Sequence, residues 1–283
     1  MRGALVLGGA RALGAAAGQA LGAAAAVELV HNFSVLHDDV MDQDATRRGR
    51  PTAWTVFGSA QALLAGDAML VLAMEELASA PSPVRHSAGT HELCRALLDL
   101  VAGQSADLAF EERADVKLEE CLAMAAGKTA ALFAGACGLG ALAAHGGPAQ
   151  VEALRGFGHH LGLAFQLVDD LLGIWGDTRT TGKPVGADLH RRKKSLPVVA
   201  ALRSGTPAGR RLAELYHDER PLKPTGVARA TALVEQAGGR GWALAEAARQ
   251  RSMALDRLAE ATLDPGAAHG LRSLVDLATH RSS

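Results

Sequence analysis

The sequence predicts an all-α fold, and three observations carry that reading. Ala and Leu, both strong helix formers, dominate the 283 residues, while aromatics make up 4%. Runs of β-branched residues are short, and no stretch alternates apolar and polar residues as a strand would. Segments with apolar residues at helical spacing lie between scattered Pro and Gly breaks: 60–78, 91–109, 118–142, 151–175 and 226–263. The expected architecture is a single-domain antiparallel helical bundle over 1–283.

Composition narrows the function. Lys and Arg number 29 against 30 Asp and Glu, so the basic excess of a nucleic-acid binder is missing. Cys94, Cys121 and Cys137 are odd in number and far apart. That pattern argues against a disulfide framework or zinc site and fits a reducing cytoplasm. Residues 12–27 are apolar apart from Gln19, but Ala and Gly are weakly hydrophobic, and Arg11 and Glu28 bracket the run below a membrane-spanning length. A buried bundle helix is expected there, without stable membrane insertion.

The apolar run 27–36 leads into His37-Asp38-Asp39-Val40-Met41-Asp42. On a helix Asp38 and Asp42 are i and i+4 and share a face, and Asp39 lies beside them. Acids at a helix C-terminus oppose the helix dipole unless a cation neutralises them. Three such hard oxygen donors suit Mg²⁺, which also binds substrate phosphates. Arg47-Arg48-Gly49-Arg50 follows at once, and guanidinium groups bind phosphate in a bidentate manner. Acids for a metal beside arginines for phosphate are what a metal–diphosphate complex requires.

A second unit repeats the design. The apolar stretch 157–168 is expected to end in Asp169-Asp170, followed by Asp177, Lys183, Asp188 and the basic run Arg191-Arg192-Lys193-Lys194. Two acid-then-base units about 130 residues apart imply helices facing a central cavity whose apolar walls hold a hydrocarbon chain. The mixed-charge segment after Gly205 is expected to be helical and carries no recognisable chemistry.

These residues resemble the trans-isoprenyl diphosphate synthase (polyprenyl synthetase) family. The resemblance rests on 37–42 with Arg47-Arg48-Gly49, on Ala65-Gly66-Asp67-Ala68, and on Gly103-Gln104 with Asp107-Leu108. Gly127-Lys128-Thr129-Ala130 and Phe165-Gln166 with Asp169-Asp170 extend it, and Lys183, Asp188 and Lys193 fall at the family's closing-loop positions. The resemblance implies the isoprenoid synthase fold and a transferase joining an allylic prenyl diphosphate to isopentenyl diphosphate. It implies that Asp38, Asp39 and Asp42 hold two Mg²⁺ ions and that Asp169 and Asp170 hold a third. Arg47, Lys128, Lys183 and Lys193 would surround the allylic diphosphate, and Arg48 and His31 the isopentenyl diphosphate. Thr129 and Gln166, with Phe165 next to Gln166, would sit beside the reacting carbons. A homodimer is also implied.

Two departures from the family pattern stand out. Gly173 occupies the place of a third acid in the second motif, with Asp177 the nearest following acid. The family's Gly-Lys-x-x-Arg segment is matched only by Arg2, as though the first helix were missing. That second departure keeps other readings open: a lyase or hydrolase of a prenyl diphosphate on the same fold, or a non-catalytic partner subunit. Phe33, with the small Ser34 beside it, falls where the family places a floor under the growing chain. This pattern resembles synthases of C20 geranylgeranyl diphosphate more than those of C15.

Overall fold

A computed structural model of the protein describes residues 1–79, 83–177, 185–217, 222–261, 263 and 265–279. The described residues are overwhelmingly α-helical. They divide into two compact units.

The first unit comprises Met1–Leu98, Ala131–His159 and Ala254–Leu274. It begins with α1 (Arg2–Ala12), a short 3₁₀ turn (Ala17–Ala20) and α2 (Leu21–Met41). Residues 12–27 therefore do not form the one continuous helix the sequence suggested. Gly14 breaks it, at φ +84°, in the left-handed region that glycine enters without penalty. α2 buries Ala23, Ala26, Val27, Val30 and Phe33. It packs against α1 and against α4 (Ser59–Ala78). Gly66 of α4 makes room for His37 of α2, because a Cβ there would come within 2.3 Å of the imidazole Nε2. That nitrogen lies 2.9 Å from the Leu63 carbonyl. α7 (Ala131–Ala143) is buried from Ala131 through Ala141.

The second unit comprises Asp99–Ala130, His160–Met253 and Val275–Ser283. It holds the later part of α5 (Pro83–Glu112), α6 (Leu118–Ala125), a π-helical turn (Ala126–Ala130) and the later part of α8 (Pro148–Trp175). α8 does not end at the aspartate pair, as the sequence suggested, but continues for another turn beyond it. Shorter helices follow at Ala187–His190, Leu196–Leu202 and Pro207–Tyr216. The expected helix over 226–263 is broken in two, Pro224–Gln236 and Gly239–Glu260, by Gly238 at φ +85°. One apolar cluster gathers Phe110, Met124, Leu163, Leu167, Leu196 and Val199. Another gathers Ile174, Leu189, Val198, Leu212 and Leu233.

Within this unit α5 and the π turn meet backbone to backbone. A Cβ on Gly103 would lie 2.1 Å from the Lys128 amide nitrogen, and one on Gly127 would lie 2.6 Å from the Asp99 carbonyl oxygen. Backbone cannot give way as a flexible side chain can. The two glycines are therefore required by this contact, which sets Lys128 and Thr129 against α5. Gly103→Ala is expected to lower unfolding free energy by about 3 kcal/mol or to prevent folding. Gly241→Ala, whose Cβ would meet nothing within 4 Å, should instead raise it by up to about 1 kcal/mol through helix propensity. Urea denaturation of both variants measures the contrast.

Candidate active site

In the first unit the three acids of the first motif sit in different environments. Asp39 is only 4% exposed, and its Oδ1 accepts from Arg47 Nε at 2.6 Å. Asp38 and Asp42 are half-buried, one turn apart, with Asp42 the C-cap of α2. Arg47 belongs to a two-stranded hairpin, Thr46–Arg47 with Arg50–Pro51. Its turn is Arg48-Gly49, both at positive φ (+52° and +73°), as a two-residue hairpin of this hand requires. This folding places Arg48 at an exposed tip and lets Asp39 fix Arg47.

Further back on α2, His31 is pushed down to about 4, first by burial and then by the nearby charge of Arg2, with a smaller contribution from Arg48. Glu28 opposes these effects. His31, Arg2 and Arg48 thus share one electrostatic neighbourhood. Phe33 is buried and packs edge-to-face on His37, with ring centroids 4.8 Å apart. Ser34 donates its hydroxyl to the His31 carbonyl at 2.8 Å.

In the second unit a chain of polar contacts runs through the π turn into α8. Lys128 Nζ donates to Asp107 Oδ2 at 2.6 Å. Thr129 Oγ1 donates to Gln166 Oε1 at 2.6 Å. Gln166 Nε2 donates to Asp170 Oδ1 at 2.7 Å, and the Leu196 amide donates to Asp170 Oδ2 at 2.9 Å. Asp170 is 4% exposed, whereas the adjacent Asp169 is exposed. Burial pushes the Asp170 carboxyl up to about 7 despite the opposing charge of Lys193. Burial would lower the Lys193 ammonium, but Asp188, Asp107, Asp170 and Asp169 outweigh it and hold it above the usual lysine value. Burial also opposes ionisation of Asp107, yet Lys193 and Lys128 keep its carboxyl below the ordinary range. Phe165 is half-buried. Lys183 lies outside the described residues.

Each Asp-Asp doublet is therefore split. The first member is the more exposed, and the second is buried with its oxygens engaged by the protein. Asp39 and Asp170, expected as metal ligands, are already hydrogen-bonded to Arg47 and to Gln166 with Leu196. Among the described residues no three His, Cys, Asp or Glu side chains are grouped as around an ion. Mg²⁺ is commonly held by one or two carboxylates, with water and substrate phosphate completing its octahedron. The Asp38 and Asp42 pair fits that chemistry.

Asp107 is the residue that the sequence noted without a role. Its partnership with Lys128 becomes visible only once Gly103 and Gly127 bring the two helical segments together. Gln104, on the same helix, is buried with neither side-chain polar atom hydrogen-bonded among the described residues.

The family model for polyprenyl synthetase matches residues 1–234. The chain belongs to the polyprenyl synthetase family. It is 49% identical over its whole length to a (2E,6E)-farnesyl diphosphate synthase of Mycobacterium bovis, covering 79% of that protein. It is 52% identical to a geranylgeranyl diphosphate synthase of Mycobacterium tuberculosis, over 84% of this chain and 68% of that one. Among solved structures, the polyprenyl synthetase of Streptomyces coelicolor superposes with a TM-score of 0.93 at 44% identity, covering 97% of this chain and 82% of that one. A Corynebacterium glutamicum geranylgeranyl pyrophosphate synthase, complexed with isoprenyl diphosphate and magnesium, gives 0.91 at 28% identity, covering 99% and 86%. The all-α isoprenoid synthase fold expected from the sequence is thereby established.

The depressed pKa of His31 carries a pH signature. Above pH 6.5 the ring is neutral folded or unfolded. As pH falls from 6.5 towards 4, the unfolded chain takes up a proton that the folded chain refuses, so stability is lost across that window. The wild type should lose roughly 2 kcal/mol more than His31→Gln between pH 7 and pH 4.5. Chemical denaturation of both proteins at the two pH values measures the difference.

Proposed function

We propose that this polyprenyl synthetase condenses an allylic prenyl diphosphate with isopentenyl diphosphate to give a short-chain trans-prenyl diphosphate, with Mg²⁺ as cofactor. The observation that carries the reading is the split doublet, found at both aspartate motifs of a chain in this family. In each, a buried acid is fixed by the protein and its neighbour is left toward solvent. Asp38, Asp42 and Asp169 are the assigned Mg²⁺ ligands, within the family's complement of three ions. Asp39 and Asp170 become positioning residues. When bound, Mg²⁺ supplies charge that stabilises the departing diphosphate.

The remaining steps belong to side chains. Arg47 held by Asp39, Lys128 held by Asp107, and Lys193 among its carboxylates are the fixed cations assigned to the allylic diphosphate. Lys183 is assigned with them on the family resemblance. The allylic C–O bond breaks with its electron pair leaving on the diphosphate, and an allylic cation forms. Thr129 and Gln166 are assigned to face that cation with oxygen. The Gln166 amide accepts from Thr129 and donates to Asp170 at once, which orients it. Arg48 and neutral His31 hold isopentenyl diphosphate, whose double bond supplies the electrons for the new C–C bond. A proton then leaves to a diphosphate oxygen and a double bond is restored.

Phe33, buried against His37, supports a C20 product over C15. Phe165 and Ser34 are assigned to the hydrocarbon site. The family model spans residues of both compact units, which supports reading 1–283 as one synthase domain. Three free thiols, two of them buried and pushed up by burial, suit a cytoplasmic location. The short helix α3 (Ala53–Phe57) and α4 leave Phe57 70%, Leu64 60% and Val71 67% exposed. Such a patch supports a homodimer.

Two experiments test these assignments. Incubation with Mg²⁺, isopentenyl diphosphate and dimethylallyl, geranyl or farnesyl diphosphate should yield geranylgeranyl diphosphate. Asp38→Ala should reduce turnover by about a thousandfold. Diphosphate release without elongation would instead indicate a lyase or hydrolase. In light scattering the wild type should run at twice its 29.2 kDa chain mass. Leu64→Glu with Val71→Glu should run as a monomer.

A further inference from the structure

Gly173 is the place where the second motif departs from its family. α8 runs unbroken through Asp169 to Trp175, so position 173 lies one turn beyond Asp169 on the same face. The space that a side chain would take there is already filled. A Cβ on Gly173 would lie 2.2 Å from Asp188 Oδ2, 2.7 Å from its Cγ and 3.2 Å from its Oδ1. The three nearest atoms are all of one carboxylate, lying against the bare backbone of α8. Asp177, the nearest following acid, is exposed.

We propose that Asp188 supplies, from outside α8, the carboxylate that the second motif lacks at Gly173. Asp169 and Asp188 then present the same i, i+4 arrangement of acids that Asp38 and Asp42 present within α2, toward the same cofactor. The proposal rests on the synthase reading; in the present arrangement a side chain at position 173 would meet the Asp188 carboxylate.

The segment bearing Asp188 is built to hold it. Gly186 enters the helix Ala187–His190 at φ +73°. The Lys193 amide donates to the Asp188 carbonyl at 2.9 Å, closing the turn. Leu189 is fully buried, and the neighbouring His190 ring nitrogen Nδ1 lies 2.7 Å from the Leu222 carbonyl oxygen. Asp188 is also the foremost carboxylate acting on Lys193. The same group therefore both orients a cation and offers oxygen beside Asp169.

An exchange of the two positions tests this. The variants are Asp188→Asn, Asp188→Gly, Gly173→Asp and the double variant Gly173→Asp/Asp188→Gly. The readouts are melting temperature and Mn²⁺ binding with inorganic diphosphate, followed by calorimetry and by the Mn²⁺ electron paramagnetic resonance signal. Asp188→Asn and Asp188→Gly should weaken diphosphate-dependent Mn²⁺ binding by about tenfold or more. Gly173→Asp should lower the melting temperature, and the double variant should regain both melting temperature and Mn²⁺ affinity. Asp188→Asn keeps the shape, so it decides the matter even if Asp188→Gly does not fold. Wild-type Mn²⁺ affinity in Asp188→Asn would overturn the proposal and leave Asp188 as counter-charge to Lys193 alone. A folded double variant that regains no Mn²⁺ affinity would also overturn it. If the wild type itself shows no diphosphate-dependent Mn²⁺ binding, the synthase reading falls together with the proposal. Prenyl elongation by the wild type, with Mn²⁺ affinity unchanged in Asp188→Asn, removes only the proposal.

Discussion

Two adjacent carboxylates cannot share one environment without repelling each other, and this protein resolves the conflict by separating them. At both motifs the second aspartate is drawn into the protein and given donors: Arg47 for Asp39, and Gln166 with the Leu196 amide for Asp170. The first aspartate keeps its contact with water. A buried carboxylate without donors would cost several kcal/mol. Each donor is therefore fixed in place by the acid it satisfies. Arg47, the Gln166 amide and the start of the helix Leu196–Leu202 are thus tied to the acid pairs.

A second constraint is close backbone approach. Gly103 and Gly127 bring α5 and the π turn within reach of each other, and Lys128 then meets Asp107. Gly66 admits the His37 ring, against which Phe33 packs. Gly173 admits a carboxylate. In each case the absence of a side chain on one element makes room for a polar group on another.

Much of this was legible in the residues. Helical spacing located α4 and α8 closely and α5 only in its middle part, and the paired acids with following arginines pointed to metal and diphosphate. Three things were hidden, for physical reasons. Helix ends near Gly14 and Gly238 depend on a left-handed backbone conformation that many other glycines in the chain do not adopt. The separate fates of Asp38 and Asp39 depend on where Arg47 folds back, which spacing along one helix does not reveal. The contact between Gly173 and Asp188 joins residues of two separate helices, which spacing along one helix does not reveal.

The π turn at Ala126–Ala130 has a consequence for how this stretch can vary. A turn closed from i to i+5 holds one residue more than a regular one, so it acts as an inserted residue absorbed without a loop. Each residue advances a helix by about 100°. Losing a single residue there would leave an unbroken, better-formed helix whose Lys128 points about a quarter-turn away from Asp107. Natural variation in length should therefore be tolerated in the connections between helices and excluded from these five residues, although they lie in the middle of an otherwise ordinary helical run.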